Sequence, residues 1–457
     1  MQFIYLKSLF WFIVCFMKKI YIESLGCAKN QVDSEILLAY AEENGYVKTD
    51  NAEEADIIVV NTCGFIESAK TESINTFFTL KEKYPKAKII LAGCLSQRYG
   101  KEMELEEADA IFGNHDLSQF PKVLKEVEEG KKAIAVPPYP DPDRERDDRK
   151  ELLSFPRSAY LKISEGCNHC CSYCAIPVIR GPLRSRPFEK VVEEAKRLIK
   201  KGIYEINVVA QDLGAYGLDL YGKSRFVELM DTLSSLEGDF VLRMLYIHPD
   251  TFPMELIDLV SKREKILPYF DIPVQHADHE ILLKMKRVGS GDIYASLFNK
   301  IREKNPDAVI RTTLMLGFPG EGREQFEELL SFIEKAEPDW MGSFLYSREE
   351  DTPAYHMRNQ KEHDKAQKEA KKWQKELEEK QSEITERRLQ RFVGKTYRAL
   401  VEEKIEGEDL AIGRIYSEAP DVDGLTVIMG RDLKSGDVVN VGIRKVRGVD
   451  LEGIKID

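Results

Sequence analysis

Three short apolar runs, Ile20–Leu25, Ile57–Val60 and Lys88–Ala92, punctuate the first third of the chain. Each is followed by a longer stretch with helical spacing: Gln31–Asn44, Glu67–Tyr84 and Gln97–Glu107. Continuous apolar strands alternating with helices predict βαβ units and an open parallel sheet covered on both faces. The alternation stops at Pro137–Lys150, where prolines and charges crowd together as in an interdomain linker. It resumes from Ala159 to about Ser347, with strands expected at Tyr160–Ile163, Glu205–Ala210, Phe240–Ile247, Tyr269–Val274, Val309–Leu316 and Trp340–Leu345. Six such βα units predict an incomplete parallel barrel, whose functional rim is the carboxyl end of its strands.

Two further segments have different textures. Tyr355–Phe392 alternates Lys and Glu with sparse apolar anchors such as Trp373, Leu377, Ile384 and Leu389. That pattern predicts a solvated helix bridging two domains. Beyond it, β-rich runs at Tyr397–Val401, Leu410–Ile415, Leu425–Met429, Val438–Val441 and Gly448–Ile456 alternate with Gly and Asp turns. They predict a small five-stranded barrel of the OB kind. The fold class is therefore α/β, closed by a β-barrel. At the other end, Leu9–Met17 is nine apolar residues in a row, too short to span a bilayer. No small-residue cleavage site follows, and Met17 opens straight into the first strand. Residues 1–16 thus read as an extension or a mis-assigned start, and no membrane partner is expected. The boundaries drawn are 1–16, 17–136 for the first sheet, 137–152 for the linker, 153–385 for the barrel with its helix, and 386–457 for the small barrel.

The 457 residues carry a net charge of −12, which argues against a partner held mainly through its phosphates. Eight cysteines are too few for a disulfide scaffold, and four of them fall between Cys167 and Cys174. Thiols kept reduced for metal imply a cytoplasmic protein.

Cys167, Cys171 and Cys174 stand in Ser164-Glu-Gly-Cys-Asn-His-Cys-Cys-Ser-Tyr-Cys-Ala-Ile-Pro-Val-Ile-Arg-Gly181, spaced C-x3-C-x2-C. Three thiolates on one short loop can hold three irons of a 4Fe–4S cube and leave the fourth open. Structural zinc sites take paired C-x2-C knuckles and ferredoxins close all four positions. A zinc loop or chance clustering is the competing reading. Cys170 makes the ligand set ambiguous by one residue, although choosing it over Cys171 breaks the spacing. Separately, each of the first three strands ends in a cysteine: Cys27, Cys63 and Cys94. Carboxyl ends of parallel strands share one rim, so these three are expected to converge. A single buried cysteine is usually only a small hydrophobe. Arg180, Arg184 and Arg186 serve either a carboxylate ligand or neighbouring acids, and Gln211 and Asp212 are candidate ligand contacts.

The cysteine loop, the strand-end cysteines and the small barrel together resemble the radical S-adenosylmethionine (SAM) methylthiotransferases, over nearly all of Lys18–Asp457. The resemblance implies an N-terminal cluster domain, a radical-SAM partial barrel and a TRAM domain. It implies two 4Fe–4S clusters, one on Cys167, Cys171 and Cys174 that binds and cleaves SAM, the other on Cys27, Cys63 and Cys94 that handles sulfur. Tyr173 is then placed near the adenine of SAM. Family members modify tRNA adenosine or an aspartate of small-subunit ribosomal protein S-twelve. Glu23-Ser-Leu-Gly-Cys-Ala-Lys-Asn-Gln-Val-Asp-Ser-Glu35 is similar to the ribosomal-protein branch, the RimO type, whose usual proline is Ala28 here. Asn61-Thr-Cys-Gly-Phe-Ile-Glu-Ser-Ala-Lys-Thr-Glu-Ser-Ile74 and Ala419-Pro-Asp-Val-Asp-Gly424 are similar to it as well. The implied reaction places S–CH3 on the β-carbon of that aspartate, with methylthiolation of tRNA adenosine as the alternative. A flavodoxin- or ferredoxin-type electron donor and a sulfur donor are implied partners. Charge supplies an independent argument: Lys395–Asp457 holds ten basic and thirteen acidic residues. An acidic barrel suits a basic protein substrate better than a nucleic acid.

Overall fold

The computed structural model describes residues 17–140 and 148–456. Residues 1–16, the expected extension, and residues 141–147 of the expected linker lie outside the described residues. The chain divides into two bodies. One comprises the described residues up to Leu153 together with Ala175–Pro182; the other comprises Ser154–Cys174 and the described residues from Leu183 on.

The first body is a six-stranded parallel sheet built from β1 (Lys18–Ser24), β2 (Tyr46–Lys48), β3 (Ile57–Thr62), β4 (Lys88–Gly93), β5 (Ala110–Phe112) and β6 (Ala133–Ala135). Its order is β2-β1-β3-β4-β5-β6, so the three cysteine-bearing strands are neighbours. β3 is buried along its whole length, as an apolar run flanked by helices on both faces requires. The sequence pattern missed β2, β5 and β6, which at three residues each carry no readable period. It also displaced one helix. The expected Gln97–Glu107 is observed as Cys94–Tyr99, closed by Gly100. Gly93 at φ +92 turns the chain so sharply that helix begins on the cysteine itself. Ala175–Pro182 joins this body because Ala175 and Ile179 pack with Cys94 in one small core.

The second body begins with β7 (Ser158–Lys162). A two-stranded ribbon follows, β8 (Ser164–Glu165) against β9 (Arg184–Ser185), which brackets the cysteine loop. Five strands continue the partial barrel: β10 (Glu205–Val209), β11 (Val241–Leu245), β12 (Ile266–Asp271), β13 (Val309–Leu316) and β14 (Trp340–Leu345). They lie parallel in the order β14-β13-β12-β11-β10-β7, and β14 and β7 remain edges. The helix Gln360–Leu389 starts with a capping box, Asn359 with Glu362. It is not the solvated bridge its charges suggest. Trp373 stacks on Phe326 at 5.4 Å, Gln374 donates to the Ser343 carbonyl, and Leu377 and Ile384 are buried. A narrow apolar stripe was enough to lay the helix along β14, because that edge strand has no further partner strand to shield it.

The closed barrel runs β15 (Thr396–Lys404), β16 (Leu410–Arg414), β17 (Thr426–Met429), β19 (Asp450–Ile456) and β18 (Val438–Arg447). Buried charges fasten it to the amino-terminal mouth of the partial barrel. Arg414 pairs with Glu205 at 2.6 Å, and Glu205 in turn with Arg243 at 2.8 Å. Asp423 receives the Tyr269 hydroxyl at 2.5 Å and Arg311 Nε at 3.2 Å, and Asp421 receives the Tyr160 hydroxyl at 3.2 Å. The word Ala419–Gly424 therefore plugs the barrel floor. Among the described residues, no helix is long and apolar enough to cross a membrane.

Candidate cluster sites

Cys63 and Cys94 follow β3 and β4 directly, and Cys27 follows β1 after Leu25 and Gly26. Glycine lets them approach: a Cβ on Gly26 (φ +88) would lie 2.9 Å from Cys63 Cβ. Each of the three thiols is within electrostatic reach of the others. Burial pushes the Cys63 thiol up, with Cys27 adding to it. Burial pushes Cys94 up to about 12, opposed by Arg180. The rim is tied by polar side chains of the helix Ala28–Glu43. Asn30 Nδ2 donates to the carbonyls of Leu25 (2.6 Å), Asn61 (3.1 Å) and Thr62 (3.3 Å). Asn61 returns a bond to Ser34 Oγ at 2.7 Å, and Glu35 accepts from Arg149 and from the Leu153 amide.

Cys94 is surrounded by donors. Arg180 Nη2 lies 3.2 Å and Asn114 Nδ2 3.4 Å from its sulfur, and Arg180 Nη1 pairs with Asp33 at 2.6 Å. Arg186 is likewise spent on partners, donating to Glu194 at 2.5 Å and to the Lys162 carbonyl at 2.6 Å. Arg180 and Arg186 thus both pair with neighbouring acids. Asn30, Asp33 and Asn114 were not singled out from sequence. For the first two the signal was the word around Cys27 that contains them; for Asn114 there was none.

In the second body the loop Gly166–Cys174 leaves β8 at the carboxyl rim. Cys167, Cys171 and Cys174 are partly buried, whereas Cys170 is exposed with its thiol against the Asn168 carbonyl. All of these cysteines, and the three of the first body, are free thiols. The loop is held by Ser172, whose amide donates to Met285 O (3.0 Å) and whose hydroxyl donates to Lys284 O (2.7 Å). Burial pushes Cys167 up to about 12, the His169 amide opposing.

Asp212 organises the neighbourhood. Its Oδ2 faces His169 Nε2 at 2.7 Å and takes the Thr251 hydroxyl at 2.6 Å. Its Oδ1 takes the amides of Gly214 (2.9 Å) and His248 (3.0 Å). With both oxygens engaged and 2% exposure, Asp212 holds His169 and the loops after β10 and β11 in place. The rings of His169 and His248 stack at 3.9 Å, and His248 Nε2 lies 3.9 Å from Cys171 Sγ. Burial, then Arg287 and His169, hold His248 down at about 2. Tyr173 is buried, its hydroxyl accepting from Arg287 at 3.0 Å and its ring edge-on to Phe318.

Among the described residues, the buried polar atoms on this rim without a hydrogen-bond partner include Gln211 Oε1, Gln275 Oε1 and the Tyr346 hydroxyl. They follow β10, β12 and β14, alternate strands of one sheet. Gln275 also has φ +72, a strained conformation for a non-glycine residue. Buried polar groups left unpaired in a folded protein are available to a ligand or to water. Among the described residues no three of His, Cys, Asp or Glu converge tightly enough to hold a single metal ion. A cluster bound through one thiolate per iron needs wider spacing than that.

An open parallel barrel with a three-cysteine loop on its carboxyl rim, followed by a closed five-stranded barrel, defines a radical-SAM protein with a TRAM domain. Residues 161–333 match the radical SAM superfamily, 393–456 the TRAM domain, and 19–113 the uncharacterized protein family UPF0004. The fold is shared with the radical S-adenosylmethionine methyltransferase TsrM from Kitasatospora setae, solved with cobalamin and a 4Fe–4S cluster. The TM-score is 0.53 at 14% identity, over 74% of this chain and 77% of that one. Relatives similar over almost the whole length are named ribosomal protein uS12 methylthiotransferase RimO. That of Aquifex aeolicus is 43% identical over 95% of this chain and 96% of its own length. That of Carboxydothermus hydrogenoformans is 42% identical over 95% and 99%, and that of Treponema denticola 40% over 94% and 99%. The chain belongs to the RimO family.

Proposed function

We propose that this chain is the radical-SAM methylthiotransferase of ribosomal protein uS12, inserting S–CH3 at the β-carbon of an aspartate. The observation that carries the reading is the pair of cysteine triads, each of free thiols at the carboxyl rim of a parallel sheet, in a member of this family. An unactivated C–H bond lies beyond the reach of any side-chain base, which is why a radical cofactor is needed. When bound, 4Fe–4S clusters and SAM supply the electron, the hydrogen-abstracting radical, the sulfur and the methyl group.

The chain's own residues do the holding. Cys167, Cys171 and Cys174 would hold one cluster with an iron open to SAM; the C-x3-C-x2-C spacing, which Cys170 would break, supports leaving it out. Cys27, Cys63 and Cys94 would hold the second. Gln211, Gln275 and Tyr346 offer unpaired polar atoms to the polar groups of SAM. Tyr173, clamped by Arg287, would flank its adenine. Exposed Glu403, Glu406, Glu408 and Asp409 on the β15–β16 hairpin support a basic protein as the target. A flavodoxin- or ferredoxin-type donor and a separate sulfur source complete the set, in the cytoplasm.

Mass spectrometry of uS12 and of bulk tRNA from a strain lacking the gene tests the substrate. Loss of the methylthio mark from uS12 is expected; loss from tRNA with uS12 unchanged would redirect the assignment. For the cofactors, reconstituted protein should carry about eight irons, falling to about four in Cys27→Ala and in Cys171→Ala.

A further inference from the structure

We propose that Arg180 sets the redox poise of the N-terminal triad by donating a charged hydrogen bond to the sulfur of Cys94. This rests on the reading that Cys27, Cys63 and Cys94 hold a 4Fe–4S cluster. Arg180 is 3% exposed. Its guanidinium is fixed from three directions: Nη1 on Asp33 Oδ2 at 2.6 Å, and Nη2 3.2 Å from both Asn30 Oδ1 and Cys94 Sγ. Asn30 is itself anchored by three carbonyls at the ends of β1 and β3, so Arg180 has little freedom to turn away. Asn114 Nδ2 approaches the same sulfur at 3.4 Å as a second, neutral donor.

Electrostatics gives this arrangement a direction. One-electron reduction of a cluster by an external donor adds negative charge to its irons and their thiolate sulfurs. Hydrogen bonds to those sulfurs stabilise the added charge and raise the potential. A charged donor does so more than a neutral one. Asp33 offsets part of the arginine's charge yet leaves the N–H aimed at sulfur. In the triad of the second body, Cys167 receives the His169 amide at 3.4 Å and Cys171 faces His248 Nε2 at 3.9 Å.

The test is an anaerobic redox titration of the full-length reconstituted protein, read by EPR, with iron counted in parallel. The signal missing from Cys27→Ala identifies the N-terminal cluster. R180Q is expected to keep about eight irons and to reduce that cluster at a lower potential, the other cluster unmoved. N114A should shift the same signal the same way by less. A full iron count with the N-terminal potential unmoved, or with both clusters shifted alike, overturns the proposal and leaves two clusters standing. If R180Q loses the cluster, R180K decides. An N-terminal potential in it that equals the wild type's, or lies between those of the wild type and N114A, keeps the charged-donor reading, and one lowered together with the other cluster's overturns it. Wild-type protein whose iron is undiminished in Cys27→Ala would instead remove the reading on which the proposal rests.

Discussion

The two cysteine triads are built in opposite ways. Cys167, Cys171 and Cys174 sit on one loop of the second body, bracketed by the ribbon β8–β9. Cys27, Cys63 and Cys94 come from three strands and meet only because β1, β3 and β4 are neighbours in the sheet. The loop triad is local and needs side chains to hold the loop still: Ser172 to the Met285 and Lys284 carbonyls, His169 to Asp212. The strand triad is already placed by the sheet, and its supporting residues bring strand ends close and set charge around sulfur. A local ligand set can be preserved by a short motif, whereas a dispersed one depends on every contact that aligns its strands.

Substitutions at the ligands have the largest expected effect and cut the comparison most sharply. Cys171→Ala should abolish SAM cleavage and methylthio insertion together. Cys27→Ala should abolish insertion while SAM is still cleaved to 5′-deoxyadenosine by dithionite-reduced protein. Equal loss of cleavage in both would mean that the triads do not divide the chemistry.

Next in size is a control that touches neither triad. Glu205→Gln leaves Arg414 and Arg243 buried opposite a neutral group, a loss on the order of 3–5 kcal/mol, with the iron count unchanged. Urea denaturation followed by intrinsic fluorescence measures it. Burial alone would raise the Glu205 carboxyl, but Arg414 and Arg243 outweigh it and hold it at about 2 against an ordinary 4.5. A depressed pKa contributes stability above the unfolded value and loses it as pH falls. The wild type should therefore weaken between about pH 4.5 and 2, and the variant should lose this part of the acid dependence.

Asn30→Ala removes the three-carbonyl tie of the strand rim, about 2–3 kcal/mol from several buried hydrogen bonds. Iron analysis should show the strand triad depleted while the loop triad stays loaded. Depletion of the loop triad instead would break the claim that the rims are supported separately.

Asp212→Asn is the mildest. It keeps the shape but removes the charge facing His169, and supporting residues of this kind cost about 10–100-fold. SAM cleavage should fall within that range at full iron occupancy. An unchanged rate would show that the loop needs no support from β10.

How far the site was legible follows from the same contrast. The spacing at 167, 171 and 174 and the cysteine closing each of three apolar runs are local patterns, and strand-rim logic was enough to predict that the latter share an edge. Strands β2, β5 and β6, at three residues each, are too short for a period to emerge. The helix at Cys94 began earlier than its apolar pattern because Gly93 permits a turn that the pattern does not encode. Asp212 was legible as a candidate contact from its place at a strand's carboxyl end, but its supporting role was not. Its four donors come from loops after β8, β10 and β11, which no window of sequence contains.

By itself the sequence determined the alternation of strand and helix, the closing five-stranded barrel and both sets of cysteines, because each depends on residue type at short spacing. Tertiary structure alone decided that Ala175–Pro182 packs with the first body. It alone placed Arg180 on Cys94 sulfur, and it alone turned the Ala419–Gly424 word into a plug for the barrel floor. A buried charge takes whichever partner the fold brings within about 3 Å, and chain separation says nothing of which partner that is.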